Sequence, residues 1–202
     1  MLEMPILETI RLVIRPFQLD DLEAVHQLLD LELDAAVLHT EKMVSLAERA
    51  EWLEWAVRNP RQLAKLYQPP YGDRAIVLRA SGRLIGACGF VPCLSNFEQI
   101  PGFGAKIVPP GQSLTSTEFG LFYAISPAQQ RLGYASEAAQ ALLDYAFGTL
   151  RLGRIIAETD HDNEGSIGVM RRLGMRIERN PYPDPPWLQV VGVLENPPVS
   201  AG

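Results

Sequence analysis

The chain of 202 residues is poor in the residue types on which several classes of protein depend. It has two cysteines and three histidines, which is too few for clustered zinc ligands, and we expect Cys88 and Cys93 to be buried thiols rather than a disulfide. Charged residues make up 21%, the net charge is −6, and no block of lysine and arginine marks a nucleic-acid-binding face. We therefore expect no metal centre and no nucleic-acid partner.

Long apolar runs are also missing. No run approaches the roughly 20 residues needed to cross a membrane, and the N-terminal segment has acidic residues but no apolar core of signal-peptide length. These absences predict a cytoplasmic protein without a membrane partner. The hydrophobic fraction of 47% is enough for a proper core. A chain of this length is expected to form one domain over residues 1–195, followed by a flexible tail over residues 196–202.

Hydrophobic patterning predicts a mixed α/β domain. The expected order is a strand, two helices, three strands, a helix, a strand, a helix and two strands. The second helix is expected to begin at the capping box of Ser45 and Glu48 and to stop before Pro60. Residues 92–116 are expected to form a long functional loop, and the last strand is expected over residues 187–194.

The most informative stretch is a glycine turn between a predicted strand and an amphipathic helix. A turn that opens a helix gathers several free backbone N–H groups, and the helix dipole adds positive potential at the same place. Such a turn suits a phosphate or pyrophosphate. It is not a P-loop, because no Gly-Lys-Ser/Thr follows, and a single glycine does not make a dinucleotide fingerprint. The turn consists of Gln130, Arg131, Leu132, Gly133, Tyr134 and Ala135.

The spacing Gln-x-x-Gly-x-Ala in this turn resembles the acetyl-CoA pyrophosphate loop of the GNAT N-acetyltransferase superfamily. The following Ser136-Glu137-Ala138 extends the likeness to the branch of ribosomal-protein alanine acetyltransferases, the RimJ/RimL type. The resemblance covers nearly the whole chain, from about residue 7 to residue 194. Two more motifs are similar to that branch: Thr9-x-Arg11-Leu12-x-x-Arg15-Pro16, and Asn163-x-x-Ser166 followed by Leu173-Gly174-Met175.

This resemblance implies a GNAT-like fold, in which a central, mostly antiparallel mixed sheet splays at the cofactor site and is flanked by helices on both faces. It implies an acyltransferase that moves acetyl directly from acetyl-CoA to a primary amine in a ternary complex, as a monomer or homodimer. The acceptor would be a small-molecule amine or a protein N-terminus. Two alternatives stay open: a catalytically weak CoA-binding sensor or interaction module, and a nucleotide-binding domain that does not use CoA.

The same resemblance implies a set of cofactor contacts. The backbone amides of the turn would hold the pyrophosphate, and Gly133 would let the main chain approach closely. The edge of the strand that ends at Ile125 would bond the pantetheine arm as an added strand does. Asn163 would contact the pantetheine or an ordered water, or serve only as a helix N-cap. The expected cofactor-binding residues are Ile125, Gln130, Arg131, Leu132, Gly133, Tyr134, Ala135, Ser136 and Asn163.

Acetyl transfer to an amine needs a base for the amine and benefits from an acid for the leaving thiolate. Glu118, at the start of the central strand, is the first candidate for the base, although a register error of one residue would turn it to the other face. Glu158 and Asp160 are the alternatives, and His39 and His161 are weaker candidates.

For the acid, the resemblance indicates Ser166. Many GNAT enzymes use a tyrosine seven residues after the asparagine, and this chain has Met170 at that position. Methionine cannot donate a proton, so the acid is expected to be Ser166 or water. Because the amine attacks the bound thioester directly in this superfamily, neither cysteine is needed as a nucleophile.

Overall fold

The computed structural model describes residues 5–33 and 45–196. None of the helices in these ranges is long and apolar enough to cross a membrane. The helices are α1 (Leu22–His26), α2 (Leu46–Lys65), α3 (Tyr134–Gly148) and α4 (Glu164–Arg172), and a π-helical turn, Gln27–Glu32, follows α1. The strands are β1 (Leu7–Glu8), β2 (Leu12–Pro16), β3 (Gly72–Leu78), β4 (Leu84–Ser95), β5 (Ser116–Ile125), β6 (Arg154–Thr159), β7 (Arg176–Arg179) and β8 (Val190–Glu195).

The strands form one mixed sheet in the order β1-β2-β3-β4-β5-β6-β8-β7. Antiparallel pairing joins β1 to β2, β2 to β3, β3 to β4, and β8 to both β6 and β7. Among the described residues, the parallel pairing of β5 with β6 consists of one register pair, Gly120 with Ile156. The predicted α/β class and element order are confirmed. The sheet has one strand more than expected, because β1 precedes β2, and a hydrogen bond from Thr9 N–H to Leu12 O closes the turn between the two strands.

The chain divides into two compact units. The first unit comprises Met1–Phe90 and Phe122–Leu142, and its core joins the apolar faces of α1 and α2 to β3. A buried ion pair stands beside this core, where Arg49 of α2 donates to Asp30 of the π-helical turn at 2.6 and 2.8 Å. Each charge compensates the desolvation of the other.

The second unit comprises Val91–Leu121 and Leu143–Gly202. Its core includes Phe97 and Ile100, which come from the stretch expected to be a long loop and are each 1% exposed. That expectation is wrong at the start of the stretch, because β4 continues to Ser95 and a 3-10 turn follows over Phe97–Gln99. Burial of two large apolar side chains stabilises this part of the segment. The prediction of one domain over residues 1–195 stays a prediction.

The expected end of the second helix is also wrong. Its start is confirmed, since Ser45 Oγ accepts from Glu48 N–H and the Glu48 carboxylate accepts from Ser45 N–H. The helix nevertheless continues through Pro60 to Lys65. A proline inside a helix removes one backbone hydrogen bond, but the extra turn buries Leu63, which is 6% exposed, in compensation.

The C-terminal elements differ from prediction in their limits. The last strand starts at Val190 rather than at residue 187, because Leu188 N–H bonds to Pro185 O in a turn. Asn196, expected to begin a flexible tail, donates from its backbone to Gly153 O at 2.8 Å and from its side chain to Leu152 O at 2.9 Å. Residues 197–202 of that predicted tail lie outside the described residues.

Candidate functional site

The turn between β5 and α3 has an unusual backbone. Arg131 has a φ of 61° and Gly133 a φ of 83°, so two alternate residues adopt the left-handed conformation. For a residue with a side chain, this conformation costs about 1–2 kcal/mol. Backbone strain of this kind clusters at ligand-binding turns, and alternation of handedness points successive N–H groups into one anion-binding concavity. The sequence anticipated the glycine but not the strain at Arg131.

The N–H groups of this turn are available for such a role. Among the described residues, the N–H groups of Arg131, Leu132 and Gly133 have no backbone acceptor. Those of Tyr134 and Ala135 lie in the first turn of α3, where an N–H has no partner within the helix. The helical hydrogen bonds begin with Glu137 N–H to Gly133 O at 3.0 Å. Five consecutive donors and a helix dipole therefore meet at this turn, an arrangement that fits a pyrophosphate.

The side chains of the turn divide into exposed and structural ones. Arg131 and Leu132 are exposed, whereas Ser136 is buried. Gln130 is one of the expected cofactor-binding residues, but its Nε2 donates to Ile125 O at 3.1 Å. Gln130 thus braces the turn against the end of β5, and the carbonyl of Ile125, expected to face the pantetheine, already accepts one hydrogen bond.

In the second unit, Asn163 is the N-cap of α4. Its Oδ1 accepts from Ser166 N–H at 3.0 Å, so the capping interpretation of Asn163 holds and leaves the amide nitrogen for other contacts. Ser166 is half-buried in the first turn of the helix. Met170, at the position where the resemblance implied a tyrosine in many GNAT enzymes, is fully buried, and a Cβ at Gly192 of β8 would lie 2.9 Å from its Sδ. Met170 therefore belongs to the core.

Glu118 is placed on β5 as predicted, but it is not a free carboxylate. Arg154 of β6 donates to both of its oxygens, with Nε 2.9 Å from Oε2, and the Glu118 side chain is 10% exposed. The Arg154 guanidinium lies 4.8 Å from the Phe103 ring centroid and 3.5 Å from Glu195. A proton accepted by Glu118 would have to displace a bidentate ion pair, which weakens its candidacy as the base.

Glu158 lies on the same face of β6 as Arg154, because residues two and four apart on a strand share a face. Its Oε1 is buried and has no hydrogen-bond partner among the described residues, and its neighbour is the thiol of Cys93. Burial raises the pKa of Glu158 to about 7, although the hydrogen bond from Cys93 acts to lower it. A carboxylate with this pKa accepts a proton better near neutral pH than an ordinary glutamate does.

The two cysteines are free thiols, as expected; Cys88 is buried as predicted, whereas Cys93 is only half-buried. Burial raises the pKa of Cys88 to about 12, and burial together with the charge of Glu158 raises the pKa of Cys93 to about 12. Both thiols therefore stay protonated at neutral pH, which makes them poor nucleophiles.

The remaining candidates are less favourably placed. His39 lies outside the described residues. His161 is exposed, and its Nδ1 is 3.0 Å from Nη1 of Arg179. Asp160 follows β6 and is half-buried. Neither the position of His161 nor that of Asp160 gives a reason to prefer it to Glu158 as the base.

Two contacts at these sites were missed from the sequence. Cys93 was expected to be a buried thiol that the reaction does not need, and its position beside Glu158 has no local signal. Arg11 was noted only as a motif position, yet its Nη1 donates to Leu132 O at 2.9 Å. Arg11 and Glu137 lie in two motifs that both resemble the RimJ/RimL branch. That shared resemblance was a signal that the two motifs contact each other in the fold.

Comparison with known proteins gives the family. The family model described as acetyltransferase (GNAT) domain matches residues 11–176. The uncharacterized N-acetyltransferase YoaA of Bacillus subtilis is 30% identical over 175 residues, which cover 86% of this chain and 84% of that protein. The uncharacterized N-acetyltransferase YnaD of the same organism is 48% identical over 56 residues, and that match spans 28% of this chain and only 33% of YnaD.

Two similar proteins have names that state a substrate or a ligand. The spermidine N(1)-acetyltransferase of Escherichia coli is 26% identical over 178 residues, 87% of this chain and 77% of that protein. A solved structure of RimL, a ribosomal L7/L12 alpha-N-protein acetyltransferase in complex with coenzyme A, has a TM-score of 0.59 and 16% identity and covers 94% of this chain and 96% of its own. At that identity the structural likeness concerns the fold.

Proposed function

Because the chain belongs to the GNAT family of acetyltransferases, we propose that it is an acetyl-CoA-dependent N-acetyltransferase that moves acetyl directly to a primary amine in a ternary complex. The observation that carries this proposal is the turn of residues 130–135. Its left-handed residues at 131 and 133, and its N–H groups that have no backbone acceptor among the described residues, would form a cradle for two linked phosphoryl groups. Membership of the family makes the protein an N-acetyltransferase, and acetyl-CoA is the cosubstrate typical of that family.

Binding of acetyl-CoA at this turn would need little rearrangement. The amides from Arg131 to Ala135 would donate to the pyrophosphate oxygens, and the dipole of α3 would stabilise their charge. The exposed side chain of Arg131 adds a cation beside the same amides. Gln130 acts indirectly, by holding the turn on Ile125.

We assign the base to Glu158 in place of Glu118. A primary amine is largely protonated at neutral pH, so it must lose a proton before it attacks the thioester. The raised pKa of Glu158, about 7, matches that task, whereas both oxygens of Glu118 are held by Arg154. Arg154 and Glu118 would then support the strand pair that carries Glu158 rather than take part in proton transfer.

Ser166 is proposed to assist the leaving thiolate. Ser166→Ala is expected to lower kcat by about tenfold or more while changing the Kd for acetyl-CoA less, since general acids typically contribute 10²–10⁴-fold. The cap of α4 uses the backbone N–H of Ser166, not its hydroxyl, so the substitution keeps the cap. Steady-state kinetics together with calorimetric titration measure both quantities. Ser166→Thr retains a hydroxyl and is the matched control, expected to keep most of the turnover; equal kcat for the alanine variant would leave Ser166 with a structural role only.

The acceptor is proposed to be a polyamine or a protein N-terminus. The polyamine possibility comes from the similarity to a spermidine N(1)-acetyltransferase, and the N-terminal one from the RimJ/RimL-like motifs and the likeness to RimL. Both acceptors present a primary amine with little steric bulk around it.

One experiment tests the function. The purified protein is heated with and without acetyl-CoA, and a ligand at about 100 times its Kd should add roughly 2.7 kcal/mol to the free energy of unfolding. Thiol release is then followed with spermidine, single amino acids and peptides that begin with alanine or serine. We expect a thermal shift with acetyl-CoA and turnover with one amine class. A larger shift with ATP or NAD would contradict the proposal, and binding without thiol release across the panel would favour a CoA-binding module.

A further inference from the structure

The turn between β1 and β2 reaches the proposed pyrophosphate cradle through one side chain, Arg11. Its Nη1 donates to Leu132 O at 2.9 Å, and its Nε donates to Glu137 Oε2 at 2.6 Å. The guanidinium carbon also lies 4.4 Å from the centroid of the Tyr134 ring. A single side chain thus contacts the turn, the start of α3 and the carboxylate in the first turn of that helix.

Glu137 is held from more than one side. Its Oε1 accepts from Thr9 Oγ1 at 2.6 Å and from Arg11 N–H at 3.0 Å, while Oε2 accepts from the Arg11 guanidinium. Burial acts to raise the pKa of Glu137, but these hydrogen bonds outweigh it and lower the pKa. The carboxylate therefore stays ionised, and Arg11 neutralises a negative charge that would otherwise stand close to the bound phosphates.

The contact with Leu132 O has a geometric consequence. In a trans peptide the C=O and the following N–H point in opposite directions. Because Arg11 holds the carbonyl of Leu132, the N–H of Gly133 must point away from Arg11. A glycine with a φ of 83° could easily permit the opposite peptide orientation, so an external contact is needed to select one of the two.

We propose that Arg11 is a positioning residue for acetyl-CoA, which selects the peptide orientation that presents Gly133 N–H to the pyrophosphate and cancels the charge of Glu137. This inference rests on the proposed acetyl-CoA-dependent function. It also explains why the opening motif and the turn motif occur in one chain, since Thr9 and Arg11 bind the glutamate that follows the turn.

The test compares Arg11→Ala with Arg79→Ala. Arg79 is a matched control because its Nη1 donates to Thr9 O at 2.7 Å in the same β1–β2 turn, while its ion-pair partner is Glu8 rather than a residue of the cradle. Arg11→Ala is expected to raise the KM and Kd for acetyl-CoA by about tenfold or more, the size of one lost charge-assisted hydrogen bond, and to affect kcat less. Arg11→Lys keeps the charge but cannot make the forked contacts, so an intermediate value is expected.

A truncated donor separates positioning from general damage. S-acetylpantetheine lacks the pyrophosphate, so its kcat/KM should be the same for the wild type and Arg11→Ala. If Arg11→Ala binds acetyl-CoA with wild-type affinity, or if Arg79→Ala loses as much affinity as Arg11→Ala, the positioning role of Arg11 is overturned. The proposed function is not affected by either result. If Arg11→Ala does not fold, Arg11→Lys decides, and unchanged affinity in that variant overturns the proposal. A wild type that does not bind acetyl-CoA would overturn the proposed function itself.

Discussion

Gly133→Glu is expected to abolish acetyl-CoA binding, with a Kd raised by at least about 100-fold, or roughly 2.7 kcal/mol. The substitution places a carboxylate on the turn whose amides are proposed to hold the pyrophosphate. Two like charges about 4 Å apart repel by roughly 4 kcal/mol at the effective dielectric constant near a protein surface. Calorimetric titration with acetyl-CoA measures the effect.

The fold is expected to survive this substitution. A Cβ built at Gly133 would lie 3.4 Å from Nη2 of Arg11, the end of a flexible side chain, and would meet nothing closer. The left-handed φ adds about 1–2 kcal/mol of strain. Gly82→Glu is the matched control, because Gly82 also has a positive φ, 69°, with nothing within 4 Å of its Cβ, and it lies in the β3–β4 turn. It carries the same strain and charge and should bind acetyl-CoA normally.

Gly133→Ala separates the steric effect from the charge. Alanine brings the Cβ and the backbone strain without the carboxylate, so its Kd should lie between those of the wild type and Gly133→Glu. Unchanged affinity in the glutamate variant would remove the turn from the cofactor site. A loss of the same size in Gly82→Glu, which carries the same strain and charge in the β3–β4 turn, would show that general damage to the protein, not the position of the new charge, is responsible.

The features predicted correctly from the sequence are those whose causes lie within a few residues. The capping box at Ser45 and Glu48, which starts α2, depends on neighbours along the chain. The turn at Gly133 belongs to this group, because a glycine between a strand and a helix is a local signal that the sequence alone reveals.

The features that were missed depend on residues distant in sequence. Arg11 and Glu137 are 126 positions apart, and Glu118 and Arg154 are 36 apart. Neither ion pair changes the hydrophobic periodicity of the two segments that it joins. The continuation of α2 through Pro60 likewise depends on the tertiary burial of Leu63, which outweighs the helix-breaking effect of the proline. Sequence reasoning therefore named candidate carboxylates for catalysis but could not rank them by their surroundings.

Glu158→Gln is expected to lower kcat/KM by about 10²–10⁴-fold while leaving the Kd for acetyl-CoA within about twofold, because it removes a base and not a cofactor contact. Glutamine has nearly the same shape as glutamate and fits the same space beside Cys93, whose thiol donates to Val91 O at 3.4 Å. In the wild type, kcat/KM should rise with pH through about 7, where Glu158 loses its proton. The variant should lack that limb of the pH profile.

Linkage predicts an accompanying gain in stability. The pKa of Glu158 is about 7 in the folded protein against an ordinary value of 4.5 for a solvated glutamate, so the folded state binds more protons between these values. The stability of the wild type therefore falls as the pH rises through this window, whereas glutamine does not titrate. By pH 8, Glu158→Gln should be more stable than the wild type by on the order of 2–3 kcal/mol, and the difference should shrink toward pH 4. Denaturant unfolding at both pH values measures it.

Glu118→Gln is the discriminating control for this assignment. It weakens the ion pair with Arg154 and should cost stability, yet it should retain the rise of kcat/KM with pH. If Glu118 were the base, the outcomes would exchange: Glu118→Gln would lose the pH-dependent limb, and Glu158→Gln would keep both the activity and the profile. Because both side chains lie on the same pair of strands, a general disturbance of the sheet would affect both variants alike, and only a chemical role can separate their pH profiles.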